Sequence, residues 1–204
     1  MNFVFDFGGV VFRWRPAVLL REQLPQRITD EASARHWVEQ VFQGYGGDWG
    51  DFDRGVVEPD ALVQRIAART GLAVAEVQRV VDAVPNELQP QPETVALLRA
   101  LREAGHTLYF LSNMPAPLAA YLVAANDFMP WFSDGVFSSH VQLLKPFAPV
   151  FQLAQQRFGV PPQELLFLDD SLPNVQAAQA LGWQALHFSD AAQARAVIAE
   201  RGWL

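Results

Sequence analysis

Short apolar runs, each followed directly by polar residues, recur along the chain. The clearest are residues 3–5 before Asp6, 107–111 before Ser112, 165–168 before Asp169, and 184–188 before Ser189. A strand that is buried on both faces of a parallel sheet has this pattern. Because ligands bind at the carboxyl ends of the strands in such sheets, we expect a site along the edge where these polar residues lie.

Helical patterns alternate with these runs, and three of them stop at a glycine. These are residues 93–104 before Gly105, 148–158 before Gly159, and 172–181 before Gly182. Glycine is common just past a helix because it adopts the left-handed conformation without strain. The alternation predicts right-handed βαβ crossovers and an α/β fold with a Rossmann-like, doubly wound parallel sheet.

The segment from residue 15 to residue 88 breaks this alternation and contains no convincing strand. It has candidate helices at 17–24, 31–42, 59–70 and 74–84, a glycine- and aspartate-rich loop at 44–55, and a proline-rich linker at 85–92. We therefore predict an inserted helical cap domain over residues 15–88. The α/β core would consist of residues 1–14 and 89–204.

The composition is that of a packed globular protein. Half of the 204 residues are hydrophobic, and the net charge of -7 argues against nucleic acid and anionic membranes as partners. The absence of cysteine excludes disulfides, thiolate metal sites and a cysteine nucleophile. No signal peptide is recognisable, and apolar stretches such as 118–125 are too short to span a bilayer. A cytoplasmic protein is expected.

Two of the predicted strands end in residues that suit phosphate chemistry. Asp6 follows the first strand, and Gly8 and Gly9 would let the backbone turn sharply and approach a ligand. Ser112 and Asn113 follow the second, where a hydroxyl and backbone N–H groups can hold phosphate oxygens. The ordinary alternatives are a capped strand-to-loop turn and a helix N-cap, respectively.

Two further motifs supply a cation and a pair of carboxylates. Lys145 precedes Pro146, which disfavours helix at the lysine; a solvated surface lysine is the ordinary alternative. Asp169 and Asp170 directly follow an apolar run, where adjacent carboxylates are costly unless a cation is present. Oxygen ligands of this kind suit Mg²⁺, and the alternative is helix capping by Asp170 or Ser171.

Taken together and in this order, the four motifs resemble those of the haloacid dehalogenase superfamily. They are Asp6-x-Gly8-Gly9, Ser112-Asn113, Lys145-Pro146 and Asp169-Asp170-x-x-x-Asn174. Residues 15–88 look like the helical cap of that family. Among its branches, the chain looks most like the glucose-1-phosphatase-like phosphatases. The resemblance implies a hydrolase of the phosphatase type, acting on a small phosphorylated metabolite for which a sugar phosphate is one candidate.

The resemblance also implies a nucleophile and a magnesium site. Asp6 would attack phosphorus and form an aspartyl-phosphate that water then hydrolyses. Mg²⁺ would be bound by the Asp6 carboxylate, the Gly8 carbonyl and Asp170. Asp169 and Asn174 would support the site.

The remaining implied roles concern the transferring phosphoryl group. Ser112 and the backbone N–H of Asn113 would bind it, and Lys145 would balance the charge of Asp6 and the phosphate. Such a balance is needed because a phosphate beside two carboxylates is strongly repelled in a dry site.

One position departs from the family pattern. Most phosphatases of the family carry a second aspartate two residues after the nucleophile, where this chain has Gly8. General acid–base help is worth about 10²- to 10⁴-fold. Either the leaving group is acidic enough to depart unaided, or an acid such as Asp51 or Asp53 comes from the cap, or phosphatase activity is low or absent.

A few residues of the cap and its hinge are weaker candidates for substrate contact. They are Trp14, Trp49 and Arg54, for which core packing of the tryptophans and a solvated arginine are the ordinary alternatives. His140 falls in the predicted loop before Lys145, where a solvated role is expected rather than catalysis.

Two other functions remain open at the level of the sequence. A 2-haloacid dehalogenase would use Asp6 to attack carbon, but the Asp169–Asp170 pair argues against that metal-independent chemistry. A non-catalytic protein that binds a metabolite or a partner is supported only by Gly8. The sequence does not indicate the oligomeric state.

Overall fold

A computed structural model describes residues 1–204 and contains one five-stranded parallel sheet. The strands are β1 (Asn2–Phe5), β2 (Thr107–Ser112), β3 (Asp134–Phe137), β4 (Leu165–Asp169) and β5 (Gln184–His187). Their spatial order is β3-β2-β1-β4-β5, and every pairing is parallel. The predicted α/β class with a doubly wound parallel sheet is therefore confirmed.

Eleven α-helices accompany the sheet. Those before β2 are α1 (Pro16–Gln23), α2 (Glu31–Phe42), α3 (Gly47–Asp53), α4 (Pro59–Thr70), α5 (Val74–Glu87) and α6 (Pro92–Glu103). Those after it are α7 (Ala116–Ala125), α8 (Ser138–Val141), α9 (Ala148–Phe158), α10 (Leu172–Ala180) and α11 (Ala191–Glu200). None of these helices combines the length and the apolarity that a membrane crossing requires.

The first strand lies at the centre of the sheet and is buried on both faces. Phe3 and Phe5 belong to one apolar cluster, whereas Val4 belongs to a second cluster on the opposite face. This alternation follows from the two-residue period of a strand. The register places Phe5 opposite Phe110 and Leu168, so the residues that follow β1, β2 and β4 lie at the same edge.

Helix ends in the α/β part follow the glycine pattern of the sequence. Gly105, Gly159 and Gly182 all have positive φ angles, of 83°, 65° and 83°. The third strand was not predicted, because Asp134-Gly135-Val136-Phe137 contains only two apolar residues. Gly135 is needed there because a side chain would overlap the Phe110 ring of the neighbouring strand.

Five helices, α1 to α5, lie between β1 and the linker to α6, and the segment contains no strand. Two details of the prediction are wrong. The predicted loop at 44–55 contains α3, which forms because Trp49 packs its ring edge-on against Phe42 with centroids 4.6 Å apart. The predicted linker at 85–92 begins inside α5, which includes Pro85. The division into a cap over 15–88 and a core of 1–14 and 89–204 stays a prediction.

The extension of α5 past its proline is explained by its last residue. Glu87 is buried and accepts hydrogen bonds from the guanidinium groups of Arg13 and Arg15, at 3.2 and 2.8 Å. Tertiary contacts of this kind override local propensity. They also fasten the end of α5 to the segment that follows β1.

Candidate active site

Asp6 lies just beyond β1 and is held firmly by the sheet. Its backbone N–H donates to the Leu168 carbonyl at 2.9 Å. Its Oδ1 accepts from the Phe7 N–H at 2.7 Å and is 2.8 Å from Lys145 Nζ. No hydrogen bond uses Oδ2, and the residue lines a cleft of the protein. One carboxylate oxygen is thus fixed, and the other is free to react or to bind a cation.

Lys145 is buried and lies between two carboxylates. Its Nζ donates to Asp169 Oδ2 at 2.6 Å and also contacts Asp6. Asn113 positions its backbone, because Oδ1 of Asn113 accepts from the Lys145 N–H at 2.9 Å and Nδ2 donates to the Lys145 carbonyl at 3.0 Å. The polar residues after β2 therefore hold the lysine in place.

The two adjacent carboxylates after β4 have different surroundings. Asp169 is fully buried, and its oxygens accept from the Ser171 N–H at 2.8 Å and from Asn174 Nδ2 at 3.0 and 3.1 Å. Asp170 is exposed to solvent at the cleft, and its side chain forms no hydrogen bond. The free carboxylate is therefore Asp170.

The carboxylates of Asp6, Asp169 and Asp170 lie close together, with ligand atoms within 4.8 Å of one another. Burial raises the pKa of Asp6 to about 7, with Lys145 opposing the shift and Asp169 adding to it. Burial also raises the pKa of Asp170, and Asp169 raises it further. One ammonium among three carboxylates leaves an excess of negative charge, and a hard divalent cation fits this donor set.

The lysine keeps its proton in this setting. Burial lowers the pKa of Lys145, but Asp169 and Asp6 more than offset it, so the net pKa is raised. The ammonium therefore places a positive charge beside the Asp6 carboxylate.

Ser112 ends β2 with its side chain fully enclosed. Its Oγ is buried and has no hydrogen-bond partner, although the residue does not line the cleft. Such a hydroxyl is costly in a folded protein unless a ligand or water satisfies it. The helix-capping alternative does not apply, because α7 begins only at Ala116, after Pro115.

The two glycines after Asp6 differ in the space around them. A side chain at Gly8 would meet only Trp14 Cβ, at an ordinary distance of 3.9 Å. Gly9 has φ +78°, and a Cβ there would overlap the Asp170 carboxylate. Glycine is thus required at the second position to keep Asp170 in the cluster, whereas the first position has room for a side chain.

The cleft above Asp6 has a volume of about 490 Å³ and is bounded by the helical segment. Of the weaker sequence candidates, Trp14, Trp49 and Asp53 line it, whereas Asp51 and Arg54 do not. Instead, Arg54 and Asp51 form an ion pair at 2.5 Å. These two side chains are therefore paired with each other outside the cleft.

Asp53 enters the cleft from α3 through a fixed contact with the core. The Oγ of Ser138, the first residue of α8, donates to the Asp53 carbonyl and accepts from the Met114 N–H at 2.8 Å. Burial raises the pKa of Asp53 well above its usual range, and the nearby Asp6 raises it further. The carboxyl side chain itself forms no hydrogen bond or ion pair.

The secondary structure at His140 differs from the prediction, and two aromatic residues of the cleft were not predicted. His140 lies in α8 rather than in a loop, and its ring meets Phe137 edge-on at 5.5 Å. The cleft is also lined by Tyr45 and Phe147, which no motif singled out. They come from a tight turn and from the residue after the Lys145-Pro146 motif, so only the fold brings them together.

Comparisons with known proteins agree with this geometry. A family model described as haloacid dehalogenase-like hydrolase matches residues 1–182. The chain is 30% identical to the sesquiterpene phosphatase astK of Aspergillus oryzae over 92% of its own length and 89% of that protein. It is 36% identical to the phosphoglycolate phosphatase of Escherichia coli, but over only 45% of this chain and 36% of that protein.

A solved structure shares the fold over nearly the whole chain. It is the HAD family enzyme bt-2542 from Bacteroides thetaiotaomicron, in complex with magnesium and inorganic phosphate. The two superpose with a TM-score of 0.73 at 22% identity, covering 92% of this chain and 93% of the other.

Proposed function

Because the chain belongs to the haloacid dehalogenase-like hydrolase family, we propose that it is a Mg²⁺-dependent phosphomonoester hydrolase with Asp6 as its nucleophile. The observation that carries this proposal is the Asp6 carboxylate, whose Oδ1 contacts the buried ammonium of Lys145, whose Oδ2 is free, and which lies close to the exposed carboxylate of Asp170. The relation to a sesquiterpene phosphatase supports phosphate monoesters as the substrates. The chain is a hydrolase; the metal, the mechanism and the substrate are the proposed parts.

In the proposed reaction, Asp6 Oδ2 attacks phosphorus as the bond to the leaving alcohol oxygen breaks, giving an aspartyl-phosphate. Water then attacks this phosphorus and releases inorganic phosphate, which restores the Asp6 carboxylate. Lys145 holds its positive charge against the phosphoryl oxygens throughout. The hydroxyl of Ser112 and the backbone N–H of Asn113 would bind the phosphoryl group.

The carboxylates of Asp6 and Asp170 and the carbonyl of Gly8 would hold Mg²⁺. When bound, the ion supplies positive charge that offsets the repulsion between carboxylates and phosphate. Asp169 is engaged by Lys145, Ser171 and Asn174, which suits a supporting role.

The acid that Gly8 does not supply is proposed to be Asp53. Of the two cap candidates, only Asp53 lines the cleft, while Asp51 is paired with Arg54. Burial raises the pKa of Asp53, which favours the protonated form that can donate to the leaving oxygen. Asp53→Asn should slow the hydrolysis of alkyl phosphates far more than that of p-nitrophenyl phosphate, whose leaving group needs no proton. Equal slowing of both substrates would refute this role.

The substrate is proposed to be a small phosphorylated metabolite, with a sugar phosphate as one candidate from the sequence. A cytoplasmic location and the lack of nucleic-acid or membrane partners stay predictions.

The test is phosphate release from a panel of phosphomonoesters, with Mg²⁺ or with chelator. The native chain is compared with Asp6→Asn and with Asp127→Asn, which makes the same change at an exposed aspartate outside the cleft. Mg²⁺-dependent release that is lost only in Asp6→Asn is expected. Release that is insensitive to Asp6→Asn would refute the proposal, and halide release from 2-haloacids would point to a dehalogenase. Phosphate binding without turnover would indicate a non-catalytic protein.

A further inference from the structure

We propose that the substrate is the phosphate monoester of an apolar alcohol, aliphatic or isoprenoid, whose tail lies against the hydrophobic wall of the cleft. This inference rests on the proposed phosphatase function and names the part of the substrate that the cleft recognises. It follows from which lining side chains are apolar, which polar ones are already occupied, and where the charges lie.

Hydrophobic side chains form much of the cleft lining, and together they are called the hydrophobic wall here. Nine of its 22 lining residues are hydrophobic, and they come from the hinge, α3, α5, α7 and the loops near them. They are Trp14, Tyr45, Trp49, Val84, Leu88, Met114, Leu118, Leu144 and Phe147. The volume of about 490 Å³ lies within the range of small-molecule sites, roughly 300–1,000 Å³. An apolar tail would bury against this wall and leave the phosphate at Asp6.

Most of the uncharged polar side chains of the lining already have hydrogen-bond partners. Trp14 Nε1 donates to the Tyr45 hydroxyl at 2.8 Å, which satisfies the indole N–H and leaves the phenol one O–H to donate. The amides of Asn113 and Asn174 are engaged by Lys145 and Asp169. Burying sugar hydroxyls without partners is unfavourable, whereas burying methylene groups is favourable.

The charges of the lining argue against a second anionic group on the substrate. Lys145 is the only cationic residue that lines the cleft, and it lies between Asp6 and Asp169. The other charged lining residues are carboxylates: Asp6, Asp53 and Asp170. A substrate carboxylate or second phosphate would have no cationic partner and would be repelled. A substrate with one phosphate and no other charged group fits this distribution of charges.

The rim of the cleft carries large apolar side chains that face water. Phe147 is 66% exposed and Tyr45 is 41% exposed, although both line the cleft. Exposed apolar groups that adjoin a cavity commonly mark a binding surface. The outer end of the tail is placed against these two exposed rings.

The test is the chain-length dependence of kcat/KM for butyl, hexyl and octyl phosphate and for geranyl phosphate, all below their micelle concentrations. Glucose 1-phosphate and phosphoglycolate serve as polar references. We expect kcat/KM to rise by up to about fourfold for each added methylene that is buried. A flat series, or preference for either polar reference, would overturn the inference and leave the phosphatase proposal intact. Failure to hydrolyse any phosphate would overturn both.

Two variants locate the tail. Phe147→Ala and Leu144→Ala should lower the ratio of kcat/KM for octyl over butyl phosphate by several-fold. Val123→Ala is the matched control, because Val123 is 50% exposed on α7 and does not line the cleft. Phe147 is largely exposed, so loss of folding is not expected. An unchanged ratio in both cleft variants would overturn the placement of the tail.

Discussion

Substituting Gly9 by alanine tests whether Asp170 belongs to the magnesium site. The backbone of Gly9 is held on both sides: its N–H donates to the Phe12 carbonyl at 2.8 Å, and its carbonyl accepts from Gln91 Nε2 at 3.1 Å. A Cβ at this position overlaps the Asp170 carboxylate. Because the backbone is fixed and Asp170 is free of hydrogen bonds, the carboxylate is expected to move away.

The substitution has two separable effects. Left-handed backbone at a residue with a Cβ is unfavourable by about 1–2 kcal/mol, which lowers the free energy of unfolding. Displacing Asp170 removes a proposed ligand, and changes even to residues that only support ligands weaken metal sites by about 10–100-fold. We therefore expect Gly9→Ala to need at least about tenfold more Mg²⁺ for half-maximal activity.

Gly105→Ala is the matched control for strain. Gly105 has φ +83°, and nothing lies within 4 Å of a Cβ built there. Gly105→Ala should lower the free energy of urea unfolding by a similar amount. It should leave the Mg²⁺ concentration for half-maximal activity unchanged. The rise of Tm with added Mg²⁺ gives a second readout that does not depend on turnover. An unchanged Mg²⁺ requirement in Gly9→Ala would refute the assignment of Asp170 as a ligand.

Three further predictions follow from the same site. Gly8→Asp has room for its side chain and, in an Asp53→Asn background, should speed hydrolysis of alkyl phosphates by up to about 10²-fold over Gly8→Ala in the same background; equal rates would contradict the need for an acid at the leaving oxygen. Ser112→Ala removes a buried unpaired hydroxyl, so its free energy of unfolding should rise by about 1 kcal/mol while phosphatase kcat/KM falls; a loss of stability in urea unfolding would show that the hydroxyl is satisfied. The pKa of Asp6 is raised from 3.8 to about 7, so the folded state keeps its proton longer than the unfolded state and stability falls as pH rises across that window. In chelator, Asp6→Asn should therefore gain stability over the native chain at pH 8 relative to pH 5, as measured by urea unfolding; a constant difference would refute the shift.

The sheet could be predicted from the sequence because its central strands are buried on both faces. Such strands need a continuous apolar stretch, and β1, β2 and β4 have one at residues 3–5, 108–111 and 165–168. The edge strand β3 could not be predicted, because Asp134 and Gly135 begin it and its stability comes from pairing with β2. Helix α3 was missed for a related reason, since packing of Trp49 on Phe42 offsets a glycine-rich sequence.

The charged residues of the site could also be predicted from the sequence. Asp6, Asp169 and Asp170 end neighbouring strands, and a parallel sheet brings such ends together at one edge. Lys145 was predicted as a cation near them, and the structure places its Nζ between Asp6 and Asp169. The roles of these residues stay predictions until the assays above are done.

Only the tertiary structure distinguishes residues that the sequence presents as equivalent. Asp51 and Asp53 are two positions apart on α3, yet one is paired with Arg54 and the other lines the cleft. Asp169 and Asp170 are adjacent, yet only Asp170 is free of hydrogen bonds. The apolar wall likewise combines residues from distant segments, such as Trp14 and Phe147. Strand ends are local and periodic, so the sequence determines them; burial and pairing depend on which segments meet, and that is decided only when the whole chain packs.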